Sequence, residues 1–440
     1  MAYEIVVGRG ESDKKKFGLK GTIVLGKHYV RMGQTTSLSS EILLDVNNAH
    51  VVFICGKRGS GKSYTLGVMA EGISSLPPEI AKNLSVIIFD TMGIFWTMKY
   101  PNYKDSSLLK QWNIEPKGLN VQVYTPTGYF KEYKEKGIPT DFPFSIKPSE
   151  VAAAEWNLAF DIDANDPAGV LIERIINKLK KEKKEYIIED IIKLVKEDDK
   201  SKQSVKDLVE NQFTKTKGWG LFSKQATPMK ELAAPGKVNI IDISAYATMP
   251  GTWGIRSLVI GIVSQKMFTE RMIARKSEEY GSIQEKTRFF SEEKKEKEQM
   301  PMAWIFLDEA HEFLPKKGKT AASDALITIL REGRQPGVSL VLATQQPGKI
   351  HTDVMTQSDT VISHRLTAQM DVEALGFLMQ SYMRKGLDTE LNQLPRVKGA
   401  AIIFDDQNER MYPMRVRPRS TWHGGSAPTA MKEIKERFKL

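Results

Sequence analysis

Residues 51–67 read VVFICGKRGSGKSYTLG, and no other stretch constrains the chain as much. The apolar, β-branched opening has the signature of a strand buried on both faces. Glycines follow at once, where a packed element gains nothing from them, and the pattern then turns helical. Gly56, Gly61, Lys62 and Ser63 fit G-x-x-x-x-G-K-[ST]. Such a loop cradles phosphate oxygens with backbone amides, and the helix that follows adds its positive end. Gly56, Lys57, Arg58, Gly59, Ser60, Gly61, Lys62, Ser63 and Tyr64 are therefore the candidate nucleotide contacts. Lys62 offers a cation to the β- and γ-phosphates, and the Ser63 hydroxyl a ligand for Mg2+.

A phosphate loop of this kind needs a carboxylate centre. Two apolar runs end in aspartate, SVIIFD at Asp90 and AWIFLD at Asp308, and only the second continues with a glutamate, Glu309. Asp308 suits Mg2+, and Glu309 can orient or deprotonate an attacking water. Downstream, AASDALITILREGRQPGVSLVLATQQPGK reads as a helix to about Arg334, stopped by Pro336-Gly337, and then a strand ending at Gln345. Arg331 and Arg334, three apart, share a face of that helix. The Gln345 amide can contact a γ-phosphate or the water attacking it.

The remaining texture is that of an α/β chain. Runs at 84–90, 119–126, 237–244, 302–308 and 339–346 read as strands, and AAIIFDD near 400 ends the sheet. Residues 149–216 instead carry apolar residues at helical spacing among charges. The expected divisions are a short β-rich extension over 1–48, a core in two parts over 49–146 and 233–414, a helical insertion over 147–232, and a basic tail over 415–440. The charged stretch 276–299 alternates lysine and glutamate, the pattern of a solvated loop or frayed helix.

Composition excludes several classes. Hydrophobic residues make up 41% and charged residues 27% of the 440, as in soluble globular proteins. No run approaches the ~18 apolar residues of a membrane span, and the N-terminus lacks a secretory pattern. Cys55 is the one cysteine, a small core residue by its setting. The histidines show no metal-ligand spacing, and His311-Glu312 lacks the second histidine of a zinc protease. These features favour a cytoplasmic protein. A net charge of +10 is compatible with a polyanionic partner. Lys316, Lys317 and Lys319, on the glycine-bearing loop LPKKGKTAAS, are the candidate DNA contacts, with the C-terminal basic tail as the alternative.

Taken in order, GKRGSGKS, IFLDEAHEFLP, REGRQPGVSLVLATQQP and TQSDTVISHRL resemble the HerA/FtsK superfamily of hexameric DNA-pumping ATPases, and within it the archaeal HerA-type helicase-translocases. The resemblance implies an α/β, RecA-like P-loop NTPase core with the helical insertion and a reduced N-terminal β extension. It implies a six-membered ring with ATP between subunits and DNA through the pore. Carried across, Lys62 and Ser63 are phosphate and magnesium residues, Asp308 and Glu309 the acidic pair, and Gln345 the sensor. Arg331 or Arg334 falls where an arginine acting on a neighbour's ATP is expected, while Arg365 matches an arginine with no role assigned. The chain departs from the pattern in two places. Fewer residues precede Gly56 than the family's β-barrel needs, which bears on docking of a partner nuclease of the NurA type, and the strand at 84–90 continues as DTMGIFW. The implied activity is ATP-driven DNA translocation. DNA packaging or conjugation pumps and an ATP-switched scaffold are the alternatives, the last disfavoured by Glu309 and Gln345.

Overall fold

Apolar β-branched segments alternate with amphipathic ones along most of the chain, and among the described residues the β-branched segments pair into a 13-stranded sheet. The computed structural model describes residues 4–32, 35–183, 185–248, 253–287, 300–366, 368–376 and 389–425. In chain order the strands are β1 (Ile5–Val7), β2 (Thr22–Met32), β3 (Thr35–Asp45), β4 (Val51–Cys55), β5 (Leu84–Asp90), β6 (Val121–Pro126), β7 (Phe142–Phe144), β8 (Val238–Asp242), β9 (Met302–Leu307), β10 (Val338–Thr344), β11 (Thr360–His364), β12 (Ala400–Asp405) and β13 (Arg410–Val416). Across the sheet they lie in the order β1-β3-β2-β13-β12-β11-β4-β10-β9-β5-β8-β6-β7.

From β11 to β7 every neighbouring pair is parallel. Parallel strands need long crossovers, and the helices of those crossovers cover both faces. That is why β5, β8 and β10 are buried along their whole lengths. From β11 through β12, β13, β2 and β3 the pairing is antiparallel. The sheet therefore continues beyond the run near 400. β13 follows β12 by a tight turn and pairs in turn with β2, so the strands of the 1–48 stretch extend the same sheet.

One face carries the helix α1 (Lys62–Ser74), whose Leu66 and Met69 pack with Ile54, Phe306 and Ile362. The other carries the helices expected over 147–232. These are α2 (Ala153–Phe160), α3 (Pro167–Glu182), α4 (Ile188–Glu197) and α5 (Gln203–Lys217). Leu171, Ile172, Ile175, Ile176 and Leu179 make the buried stripe of α3, the 3.6-residue spacing that marks an amphipathic helix. Trp156 stacks on Phe160 at 5.4 Å and meets Phe213 edge-on at 5.0 Å. These rings share one core with Ile87 and Phe89 of β5.

Beyond β8, α6 (Trp253–Thr287) runs for 35 residues. The first part of the charged stretch, to Thr287, is thus helix, and 288–299 lie outside the described residues. α7 (Ser323–Glu332) ends two residues short of Arg334, because Gly333 and the turn through Gly337 break the helix pattern first. Arg334 therefore lies in a turn and shares no helix face with Arg331. The helix α8 (Thr352–Gln357) precedes β11. The start of the basic tail is folded as well. Arg417 pairs with Glu71 of α1 at 2.9 Å, and the fully buried Arg419 reaches the same carboxylate at 3.4 Å. Gly67 makes room for it, since a Cβ there would lie 2.5 Å from the Arg419 guanidinium. These two arginines are committed within the fold, and 426–440 lie outside the described residues.

Candidate active site

The carboxyl ends of β4, β10, β9 and β5 lie side by side, the edge at which open α/β sheets bind ligands. The phosphate loop leaves β4 at Cys55 and enters α1 at Lys62. Gly61 caps the helix in the left-handed region at φ 118°, and no side chain caps the first-turn amides. Lys62 is buried and arches back so that Nζ donates to the Lys57 carbonyl at 3.3 Å. The Lys57 amide is spent on the Arg365 carbonyl and the Ser60 amide on the Lys57 carbonyl. Tyr64 turns away from the loop, its hydroxyl accepting from the Arg419 amide at 2.6 Å.

Ser63 donates its hydroxyl hydrogen directly to Asp308 Oδ2. Asp308 follows β9, and β10 is the one strand between it and β4, so strand spacing sets this contact. Burial raises the Asp308 pKa, with Ser63, the Glu309 amide and Lys62 opposing. Glu309 sits in the left-handed region at φ 51°, uncommon for a residue with a Cβ and a form of strain concentrated at functional sites. Burial, then the Asp308 charge, pushes its carboxyl up to about 7. Among the described residues Glu309 Oε2 is buried with no hydrogen-bond partner, and His311 Nδ1 stands 3.6 Å away. The Gln345 backbone amide opposes that rise. Behind them Thr344 Oγ1 lies 2.9 Å from His311 Nδ1.

Asp90, the aspartate set aside, has another task. Its Oδ2 accepts from the Phe95 amide at 2.7 Å and its Oδ1 from Met92 at 3.3 Å, so it shapes its own turn. Burial, and then Asp242 in register on β8, raises it to about 7.

The other expected residues lie apart from this group. Arg331 Nε bonds Asp353 of α8 at 2.6 Å. Arg334 is exposed. It precedes β10, whose seven residues carry the chain ~20 Å to the phosphate edge at ~3.3 Å per residue. Lys316, Lys317 and Lys319 are exposed on the loop after the acidic pair, and Lys319 is bound to Asp324 at 2.8 Å. Missing from the sequence reading are His364 and Thr65, which meet beneath the phosphate loop. The signal was the SHRL stretch, in which only the arginine stood out.

The oxygens brought together suit Mg2+. Among the described residues no group of three or more His, Cys, Asp or Glu side chains could hold a metal. A hydroxyl beside one carboxylate, completed by phosphate oxygens and water, is the usual way Mg2+ is bound. Among the described residues no helix is long and apolar enough to cross a membrane.

Comparison with known proteins bears on the fold and the family. The solved structure of VirB4 from Thermoanaerobacter pseudethanolicus shares the fold, with a TM-score of 0.53 and 12% identity over 95% of this chain and 99% of that one. The DNA double-strand break repair helicase HerA of Saccharolobus solfataricus is 25% identical over 347 residues, covering 78% of this chain. The chain spans 60% of that relative's length. The HerA of Pyrococcus furiosus is 30% identical over 145 residues, 31% of this chain and 25% of its own. A family model described as zonular occludens toxin matches residues 258–374. The model of the HerA helicase central domain matches residues 24–250, more than half of the 440 residues, and the chain belongs to that family.

Proposed function

We propose that this chain is an ATP hydrolase that drives DNA through a ring, a translocase or helicase of the HerA-FtsK type. The observation that carries hydrolysis is the contact of the Ser63 hydroxyl with Asp308, beside a Glu309 oxygen that is buried with no hydrogen bond among the described residues. The loop amides and Lys62 hold the β- and γ-phosphates. Ser63 and Asp308 would hold Mg2+, which when bound would neutralise phosphate charge. Glu309, raised to about 7, takes the proton of the attacking water, since a general base works best when its pKa lies near the working pH. Gln345 orients that water from the end of β10.

DNA as the moved polymer rests on the relatives, which are named DNA double-strand break repair helicases, and on the +10 net charge. A ring, six-membered as in the resemblance, rests on Arg334. It lies ~20 Å along β10 from its own phosphate edge, so it serves a neighbour's ATP or none. The test is steady-state ATP hydrolysis with and without duplex DNA, for the wild type and Lys62→Ala. Hydrolysis that rises with DNA and vanishes in the variant supports the motor. Nucleotide binding without turnover, with or without DNA, would sink it in favour of a scaffold.

A further inference from the structure

Beneath the phosphate loop lies a buried histidine that the hydrolytic reading does not use. His364 ends β11 and is 0% exposed. Its Nε2 lies 2.9 Å from Thr65 Oγ1 in the first turn of α1, and its Nδ1 lies 3.2 Å from the Ala400 carbonyl of β12. The side chain also backs both glycines of the loop. A Cβ on Gly56 would come 2.6 Å from His364 Cβ, and one on Gly61 would come 3.5 Å from Cε1. The next carbonyl, that of Arg365, accepts from the Lys57 amide at 3.1 Å. One dipeptide thus braces the loop at its start, at its end and at the helix that follows.

The hydrogen bonds assign the tautomer. A carbonyl only accepts, so Nδ1 carries the hydrogen toward Ala400. In the neutral ring Nε2 is then a bare acceptor, and the Thr65 hydroxyl must donate to it. That hydroxyl also lies 3.0 Å from the Gly61 carbonyl, and its one hydrogen serves only one of the two. Burial, joined by the Lys62 charge and opposed by the Ala400 carbonyl, holds the imidazole down to about 4. The ring is therefore neutral near pH 7, and Thr65 turns to it.

We infer that His364, as the Nδ1–H tautomer, is a positioning residue for nucleotide: through Thr65 it fixes the phosphate loop in its anion-receiving shape and so sets affinity without touching the phosphates. A loop ordered in advance loses less freedom when the ligand arrives. The inference rests on reading residues 56–63 as a nucleotide site.

The test uses the full chain, a fluorescent non-hydrolysable ATP analogue with Mg2+, and steady-state hydrolysis. His364→Asn keeps a donor near the Nδ1 position and cannot reach Thr65, whereas His364→Gln can. Thr65→Val removes the hydroxyl and keeps the shape. Loss of one buried hydrogen bond corresponds to roughly tenfold. His364→Asn is expected to weaken the analogue about tenfold and raise KM by the same factor, with kcat within about twofold. His364→Gln recovers most of the affinity. Thr65→Val costs a similar factor alone and adds nothing in His364→Asn, because both delete the same bond. Analogue binding by His364→Asn equal to wild type overturns the proposal. So does equal loss in the Asn and Gln variants with a lowered unfolding midpoint, which would make His364 a packing residue. A wild type that binds no analogue overturns the nucleotide reading together with this one, and is told apart by that result.

Discussion

Two regions of this molecule bury charge, and they do it in opposite ways. At the antiparallel end, Arg9 and Asp45 are both 0% exposed and paired. Arg9 also donates to the Gly18 carbonyl at 2.7 Å and to the Lys20 carbonyl at 2.8 Å. His50 lies between Asp45 Oδ2 at 3.2 Å and Asp359 Oδ2 at 3.0 Å, which ties the N-terminal strands to the turn before β11. At the parallel end, among the described residues, Lys62 bonds only a backbone carbonyl, and Glu309 keeps an oxygen with no hydrogen bond. Burying a charge is costly unless it is paired and hydrogen-bonded. A paired cluster holds strands together, whereas an unmatched one is poised for a ligand. The two ends should therefore respond to substitution in opposite senses.

The largest effect belongs to an arginine. Arg331 is held by Asp353, while Arg334 is exposed with no ion pair among the described residues. The same contrast nominates Arg334 as the residue that acts across a subunit boundary. An arginine supplied in trans is typically worth ~10³–10⁵ in rate. Arg334→Ala should lose hydrolysis by that order when alone, and Arg331→Ala by much less. Mixing Arg334→Ala with Lys62→Ala should restore part of the activity, since an intact loop then meets an intact arginine. An Arg334→Ala protein as active as wild type removes the shared site.

Next comes Glu309→Gln. A general base contributes roughly 10²–10⁴, so turnover should fall by that factor while ATP still binds and is trapped. Because the change removes a buried charge raised to about 7, the unfolding midpoint should hold or rise. A drop in stability with activity retained would reverse the assignment of the two ends.

Asp45→Asn is the converse. Arg9 cannot shed its proton, so the change strands a buried guanidinium. Breaking one side of a buried pair costs about 3–5 kcal/mol, read by chemical denaturation. Hydrolysis per folded molecule should stay near wild type. A loss below about 1 kcal/mol would mean that Arg9 finds enough in the carbonyls, and the pair would not be what holds β2 and β3 to the core.

The two ends also differ in how far they could be read in advance. Gly56 to Ser63 and Asp308-Glu309 are contiguous, and their chemistry follows from local backbone and residue type. Even there, the need for glycine at 56 comes from His364, 308 positions away, as much as from the turn. The contact of Ser63 with Asp308 depends on β10 lying between β4 and β9. Glu71 with Arg419, and Arg9 with Asp45 and His50, join helix, loop and strand segments that meet only in the folded chain, so the sequence showed charges without their partners. The 1–48 strands were visible as strands, but β13, which joins them to the sheet, straddles the expected end of the core at 414 and is broken up by Arg410, Pro413 and Arg415. The end of α7 was misplaced by two residues because Arg334 fits helical spacing while Gly333 does not.

The smallest effect is a pH dependence that isolates the paired end. Burial opposes the charged form of His50, but hydrogen bonds to Asp359 and Asp45 outweigh it and raise the imidazole from 6.5 to about 9. Between these values the folded chain holds one proton more than the unfolded chain, so stability falls as pH rises. The contribution is complete below pH 6.5, declines by at most about 1.4 kcal/mol per pH unit, and is gone above about 9. Asp90 and Glu309, raised to about 7, overlap only the acid edge of that window and are largely complete by pH 7.5, and His364 and His423, lowered to about 4, act on its acid side. Cys55, pushed up to about 12 by burial, contributes only above it. Urea unfolding at pH 7.5 and at pH 9 should therefore differ by about 1–2 kcal/mol in the wild type. In His50→Gln the difference should nearly vanish, because the amide carries no proton to lose. An equal slope in both proteins would show that the His50 charge is not what Asp45 and Asp359 hold, and that the antiparallel end owes its cohesion to Arg9 alone.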